Sequence, residues 1–510
     1  MKSGAAGWGT QGGYFITVDS KVPIDPGRMT KAFEEAVNRH GSFRTTFHWS
    51  EKGKLMQTIH PSVDVNNISI IDLSDKPNAH KMAYDMSLSY KPAPKVDQLH
   101  PPIRTHHSLM WYMGLSGLGS VLSNLSTFLK SKVTRRKKER RQSGTHDLDT
   151  AKSKDPNANP NEFPPISFAI FALGSEAYAF NIAVPHIMTD EASLGIFLRD
   201  LLQLYTDGPG SLPPVQFHYS DFSDWLIRTA DRRAELREEQ LEYWSKKLNG
   251  VQSLVLTLPT PSEVERSPIS QIKDQIDSSA LKRYNDYVVT TSATSFAAFF
   301  AAYNLLLYKH STQNSFVVGT TVSQRSVAQL QEVVGFFTGV LPVRTTIEGE
   351  MTFAEYFEAF RGDLATDLSN DDVTLEDIIS RTKTSSQDPF HLKHLFSPAG
   401  LNTRIANRLG ASDITATVVS LPNSGEKYEL SLTANYETGE VILHFDNRLY
   451  TERTARQFLG AYCGLIDTLG KDPHIKIGVV PVVNDKYRHT KQLPTPGIAN
   501  HIEDEFAPTR

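Results

Sequence analysis

A histidine and an aspartate four residues apart, His186 and Asp190, form the segment of this sequence best suited to catalysis. Near neutral pH an imidazole can remove a proton from an amine or a hydroxyl as that group attacks an acyl carbon. The aspartate can orient the ring or bind a group elsewhere in the chain. Taken alone, the pattern is more typical of a histidine buried in a core, and a metal pair lacks a second group of ligands.

The elements around His186 are predicted to be a β-hairpin followed by a helix. Two strand-like runs, 166–173 and 177–184, flank a turn at 174–176, and helical spacing begins after Asp190. Asp190 or Ser193 can cap the start of that helix. His186 therefore lies between a strand and a helix, where its side chain can project from a rigid element.

The second half of the chain repeats this mixture of helices and strands. Helical spacing over 295–308 and 353–368 flanks a strand-like run at 316–322, and alternation over 428–436 and 441–445 predicts a second hairpin. No repeat of 20–50 residues is present. We therefore expect a mixed α/β (α+β) fold in two halves.

The composition excludes several classes of protein. Among 510 residues, 53 Lys and Arg stand against 57 Asp and Glu, a net charge of -4, which argues against a generally basic nucleic-acid-binding protein. The single cysteine, Cys463, excludes an intramolecular disulfide and any multi-cysteine metal site, and its apolar neighbours are typical of an inert core thiol. No secretory signal precedes Tyr14, so we expect a cytoplasmic protein.

One uncharged segment, 108–129, is followed by a basic run that ends at Arg141. Its length permits a membrane span, whereas its leucines, spaced by three or four residues, favour an amphipathic helix. A helix packed on the protein surface, a membrane or partner contact through 108–141, and a true span are the three interpretations, of which we favour the first.

Five segments of the sequence form an ordered set of motifs. Residues 184–193 resemble the HHxxxDG motif of the nonribosomal peptide synthetase condensation domains, with His186 at the second histidine and Asp190 at the aspartate. Four further segments resemble the family's motifs in the same order: 39–47 (RHExLRTxF), 219–225 (YxDFAxW), 318–325 (GTPxxxR) and 334–344 (IGxFVNTLPLR). The resemblance extends over residues 30 to 470.

The resemblance implies a fold of two chloramphenicol-acetyltransferase-like lobes, a V-shaped pseudo-dimer with a central tunnel. The N-terminal lobe would occupy 1–230, with an insertion at about 88–165; the C-terminal lobe would occupy 231–478, and 479–510 would be a tail or linker. The implied activity, in secondary-metabolite biosynthesis, transfers an acyl, peptidyl or polyketide group from a carrier-protein thioester to an amine or a hydroxyl. The thioester is tethered to phosphopantetheine as substrate, and no bound cofactor or metal is expected.

The same resemblance assigns expected roles to individual residues. His186 is the catalytic residue, and Asp190 forms a salt bridge with an arginine, for which Arg325 and Arg344 are the candidates. Two more arginines, Arg39 and Arg44, would support the lobe. The residues expected to line the tunnel are Pro185, Glu191, Ser193, Gly335, Phe337 and Gly339.

Two departures from the motif leave the function open. Pro185 replaces the first histidine, as a non-histidine residue does in a fungal subgroup of terminal condensation domains, and Glu191 replaces the glycine. The expected partners are an acyl or peptidyl carrier protein and a small or carrier-bound nucleophile. The alternatives are an alcohol acyltransferase that uses acyl-coenzyme A and a degenerate domain that only docks carrier proteins.

Overall fold

Two β-sheets, each covered by helices, form the framework of the molecule. A computed structural model describes residues 11–20, 23–49, 55–65, 68–89, 166–174, 176–258, 269–325, 327–382, 391–399, 414–420 and 428–481. Most of the insertion predicted at 88–165, including the whole of 108–141, lies outside these residues. None of the helices within them has the length and apolar character needed to cross a membrane.

The first sheet carries the hairpin that ends at His186. Its strands are β1 (Gln11–Ser20), β4 (Ile68–Asp72), β5 (Ser167–Ala172), β6 (Ala177–Pro185) and β11 (Ile414–Ser420), in the order β11-β1-β6-β5-β4. Strands β5 and β6 are antiparallel, which confirms the first predicted hairpin. A separate ribbon pairs β2 (Thr45–Trp49) with β3 (Leu55–Ile59).

Helices cover both faces of the first sheet, so its strands are apolar on both faces. The helices of this half are α1 (Pro26–Arg39), α2 (Ala79–Ser89), α3 (Glu191–Asp207) and α4 (Tyr219–Arg228). Helices α1 and α3 share a core with one face of the sheet, in which Phe33 stacks on Phe168 with ring centroids 4.2 Å apart. Helix α2 packs against the opposite face. Antiparallel pairing with β1 on one side and β5 on the other holds β6 in register and thereby sets the position of His186.

The second sheet is larger and mixed. Its strands are β7 (Ile269–Gln275), β8 (Ser315–Ser323), β9 (Thr338–Thr346), β10 (His394–Pro398), β12 (Leu430–Ala434) and β13 (Glu440–Asp446), in the order β7-β13-β12-β10-β8-β9. Its helices are α5 (Ala230–Lys247), α6 (Ser278–Thr290), α7 (Ser295–Lys309), α8 (Phe353–Leu368), α9 (Leu375–Arg381) and α10 (Glu452–Lys471). Strands β12 and β13 form the second predicted hairpin.

Two features differ from the domain division predicted at residue 230. Strand β11 belongs to the second half of the sequence but pairs antiparallel with β1 in the first sheet. The predicted tail begins at 479, yet Val480 is only 3% exposed and belongs to the core of the second half. The second half therefore contributes one strand, β11, to the first sheet. The core of the second half continues to residue 480.

Candidate functional site

His186 follows the last residue of β6 and begins a short 3-10 helix, His186–Met188. Its Nδ1 lies 3.0 Å from the carbonyl oxygen of Thr189, and a carbonyl oxygen only accepts hydrogen bonds. Nδ1 therefore carries the proton, and in the neutral ring Nε2 holds the free lone pair. His186 is half-buried, so part of the residue remains accessible.

Asp190 is the N-cap of α3, where an acidic side chain satisfies backbone N–H groups that the helix leaves unpaired. Its Oδ1 accepts a hydrogen bond of 2.8 Å from the Ser193 amide. The same oxygen lies 3.1 Å from Nη2 of Arg325, and Oδ2 accepts a bond of 2.9 Å from the Phe337 amide. Asp190 is only 3% exposed, and a buried charge is costly unless it is paired. Here both carboxylate oxygens have partners.

Arg325 follows β8 of the second sheet and is itself 5% exposed. Its Nη1 donates to the carbonyl oxygens of Leu330 and Val333, at 2.7 and 2.6 Å, and its guanidinium lies 4.2 Å from the centre of the Phe337 ring. Burial lowers the pKa of Arg325, and the negative charge of Asp190 opposes that shift. Arg325 thus ties the first turn of α3 to the chain after β8.

Ser193 completes the connection between the two halves. Its hydroxyl donates to the carbonyl oxygen of Gly335 at 2.6 Å and accepts from the Gly335 amide at 3.0 Å and from Arg325 at 2.6 Å. One donor and two acceptors are all that a hydroxyl offers, so Ser193 is fully used. We call Asp190, Ser193, Arg325, Gly335 and Phe337 the lobe-spanning cluster.

Position 335 of this cluster requires a glycine because the fold leaves no space there for a side chain. A Cβ atom at this position would lie 2.1 Å from the ring of Tyr219, far inside van der Waals contact. The Tyr219 ring packs in turn against Phe337, with ring centroids 5.0 Å apart. The motif glycine thus allows α4 to approach the segment between β8 and β9.

Phe336, which the motifs did not single out, contacts the imidazole directly. The ring centroids of Phe336 and His186 are 5.0 Å apart and the two planes are inclined by 80°. Phe336 is half-buried, between the buried Gly335 and Phe337. Sequence reasoning missed it because it occupies the x of IGxFVNTLPLR, a position on which the motif carries no information.

The remaining predicted arginines lie away from His186. Arg344 donates to Ser315 Oγ and to the carbonyl oxygen of Lys247, each at 2.9 Å, so of the two candidates for Asp190 the partner is Arg325. Arg44 donates to the carbonyl oxygen of His60.

Arg39 lies beside a second buried carboxylate, Asp200 of α3. Arg39 Nε donates to Asp200 at 2.8 Å, and His40 Nε2 and Arg199 Nη2 lie 3.1 and 2.9 Å from its oxygens. Burial opposes the ionisation of Asp200, but these hydrogen bonds outweigh it and lower its pKa to about 2. Burial also lowers the pKa of His40. Arg199 makes a further ion pair with Glu332.

The residues predicted to line a tunnel fall into two groups. Ser193 and Phe337 are fully buried, and Pro185 and Gly335 are also buried, so these four support the site rather than face open space. The other two are accessible: Gly339 is half-buried and Glu191, the first residue of α3, is exposed.

Glu191 adds negative charge five residues after His186. Burial raises the pKa of the Tyr14 hydroxyl, and the negative charges of Glu191 and Asp190 raise it further.

A surface cleft of about 360 Å³ lies elsewhere in the first half, and its lining includes Arg39 and His218 but not His186.

The family model described as "Condensation domain" matches residues 129–490. Surfactin synthase subunit 1 of Bacillus subtilis (strain 168) is 27% identical over 331 residues, which cover 61% of this chain and 9% of that protein. Gramicidin S synthase 2 of Aneurinibacillus migulanus is 23% identical over 472 residues, which cover 90% of this chain and 9% of that protein. The chain thus spans less than a tenth of the length of these curated relatives.

Solved structures agree with the predicted architecture. The X-domain from teicoplanin biosynthesis aligns with a TM-score of 0.66 at 16% identity, covering 94% of each chain. The condensation domain from the Monacolin K polyketide synthase MokA aligns with a TM-score of 0.65 at 16% identity, covering 91% of this chain and 93% of that chain. These likenesses confirm the chloramphenicol-acetyltransferase-like fold. With the family model matching more than half of the sequence, the chain belongs to the condensation domain family.

Proposed function

We propose that this protein is an acyltransferase of the condensation type, which transfers an acyl, peptidyl or polyketide group from a carrier-protein thioester to an amine or a hydroxyl. One observation carries the proposal: the Thr189 carbonyl oxygen holds the Nδ1 proton of the half-buried His186, which leaves the lone pair of the neutral ring on Nε2. A general base needs this arrangement, an accessible lone pair on a ring of fixed orientation.

In the proposed reaction, Nε2 accepts the proton of the amine or hydroxyl while that group attacks the thioester carbonyl carbon. The carbon–sulfur bond then breaks, and the departing sulfur receives the proton that Nε2 took up. The products are an amide or an ester and a free thiol. Proton transfer of this kind contributes about 10²–10⁴-fold to the rate, and alignment of the two substrates supplies much of the remainder.

The lobe-spanning cluster supports this role. Asp190 and Ser193 stand in the first turn of the helix that follows His186, and their partners Arg325, Gly335 and Phe337 come from the second half. Substrates that enter between the two halves would meet beside His186. Cys463, the single cysteine of the sequence, lies within α10 and packs against the core of the second half; the proposed transfer is direct, without an acyl-cysteine intermediate.

The donor is proposed to be a thioester on the phosphopantetheine arm of a carrier protein, and acyl-coenzyme A is the alternative. The test incubates the chain with acyl-loaded carrier protein or with acyl-coenzyme A, and with a panel of amines and alcohols, and identifies products by mass spectrometry. We expect amide or ester product from the carrier-bound donor. Product from acyl-coenzyme A alone would favour the alternative donor.

A second candidate function is docking of carrier proteins without turnover. Glu191, in place of the motif glycine, places an exposed carboxylate at the start of α3 and favours this candidate. One solved relative was determined as the "Complex of the X-domain and OxyB from Teicoplanin Biosynthesis", so that domain binds another protein. Tight binding of the acyl-carrier with no loss of its acyl group to any nucleophile would support docking and contradict the acyltransferase.

A further inference from the structure

Phe336, in the second half, packs its ring against the imidazole of His186. Its ring lies across the imidazole plane at 80°, with the centroids 5.0 Å apart. Unlike its two neighbours in the sequence, Phe336 is only half-buried. Part of Phe336 is therefore accessible beside His186, which is half-buried as well.

The backbone of Phe336 is fixed from both sides by the first turn of α3. The peptide group before it is held by Ser193, whose hydroxyl donates to the Gly335 carbonyl oxygen at 2.6 Å. The peptide group after it is held by Asp190, which accepts from the Phe337 amide at 2.9 Å. The Phe337 carbonyl oxygen also accepts from the Gln324 amide, at 2.9 Å. The backbone that places the phenyl ring beside His186 is therefore held in position.

We infer that Phe336 determines the specificity of this protein for its nucleophile, by excluding amines and alcohols that are branched at the carbon bearing the reacting atom. The inference rests on the proposed function of His186. A nucleophile must come within about 2.6–3.2 Å of Nε2 to give up its proton. A nucleophile at that distance from Nε2 lies beside the imidazole that the Phe336 ring contacts. Substituents on the carbon next to its reacting atom would therefore meet the phenyl ring.

The size of the effect follows from the selectivity between substrates that an apolar surface of fixed shape can give. One additional methylene that does not fit changes the relative rates of two substrates by about 10- to 200-fold. Truncating the ring should therefore admit the branched nucleophile, while the unbranched nucleophile, which does not need the added space, gains little.

The test uses isomeric nucleophiles, n-butylamine against sec-butylamine and 1-butanol against 2-butanol, with acyl-loaded carrier as the donor. The measured quantity is the ratio of kcat/KM for the branched isomer to that for the unbranched isomer. Phe336→Ala should raise this ratio at least about tenfold. Phe336→Leu, which retains more of the side chain, should raise it less and keeps the test valid if the alanine variant fails to fold.

The matched control is Phe296→Ala, which removes a partly buried phenyl ring from α7, in the core of the second half. This variant should leave the ratio unchanged. If the wild-type protein acylates the butyl nucleophiles and Phe336→Ala and Phe336→Leu leave the ratio unchanged, the inference about Phe336 is overturned while the proposed function stands. If the wild-type protein acylates no nucleophile at all, the proposed function fails and the inference fails with it.

Discussion

Helix α3 and its N-cap carry two buried aspartates, ten residues apart, whose partners come from different halves of the molecule. Asp190 and Asp200 are 3% and 1% exposed, and each binds an arginine. Beyond its own helix, the carboxylate of Asp190 binds Arg325 and the Phe337 amide, both of the second half. Asp200 instead gathers side chains of the first half, among them those of Arg39 and His40.

The difference lies in where each aspartate stands on the helix. Asp190 is the N-cap and closely follows the 3-10 turn of His186, so its bonds to the second half also fix the segment that carries His186. Asp200 lies in the helix interior and packs α3 against the end of α1, more than two turns from His186. We therefore expect Asp190 to matter for both activity and stability, and Asp200 for stability alone.

Replacing the two aspartates separately gives the largest expected effects. Asp190→Ala leaves the buried Arg325 without its carboxylate and should cost about 3–5 kcal/mol of unfolding free energy. The activity of the molecules that remain folded should fall about 10²-fold because His186 is misplaced. Denaturant unfolding and acyl-transfer assays on the folded fraction measure the two effects.

Asp200→Ala is the matched comparison. It should cost about 1–3 kcal/mol because buried donors lose their acceptor, although Arg199 keeps Glu332 and Arg39 keeps the carbonyl oxygen of Pro213. Activity per folded molecule should remain at the wild-type level. Equal losses of activity in the two variants would show that the two aspartates do not differ in function.

The loss of unfolding free energy in acid should depend on the protonation of Asp200. Its folded-state pKa, about 2, lies below the ordinary value of 3.8, so its contribution is complete above about pH 4 and is lost as the pH falls towards 2. Asp200→Asn cannot titrate, so between pH 5 and 2 the wild-type protein should lose about 2 kcal/mol more than this variant. Urea unfolding across that range measures both, and parallel curves would contradict the assignment.

Two serines provide the finest comparison. Ser193 makes three hydrogen bonds through its hydroxyl, whereas Ser42 makes one, to the carbonyl oxygen of Val334 at 2.7 Å. Ser193→Ala should therefore lower the unfolding free energy by about 1 kcal/mol more than Ser42→Ala. It should also lower kcat with little change in KM, since Ser193 does not face substrate. A KM effect alone would place Ser193 in the binding surface.

Much of the fold follows from local patterns in the sequence. The two apolar runs on either side of 174–176 predicted the hairpin β5–β6, and the leucine spacing after Asp190 predicted α3, because both elements bury one or two regular faces. Strand β11 was not predicted to join the first sheet. Its pairing with β1 joins residues some 400 positions apart, and no periodicity within either strand encodes such a pairing.

The candidate site was predictable only in part, for a similar reason. The motifs pointed to His186 and Asp190 but left Arg325 and Arg344 equivalent as partners, because separation along the chain does not give distance in the fold. The structure brings Arg325 to Asp190 through the turn that follows β8. Phe336 occupies an undefined motif position, so its contact with His186 could be found only from the geometry.

The central claim, that Nε2 of His186 is the base in acyl transfer, is tested most directly by His186→Ala in a single-turnover assay with acyl-loaded carrier. The exposed His474 provides the control variant His474→Ala. We predict that His186→Ala transfers at least about 10²-fold more slowly with its unfolding midpoint unchanged, while His474→Ala matches the wild-type rate. A rate for His186→Ala at the wild-type level would contradict the account.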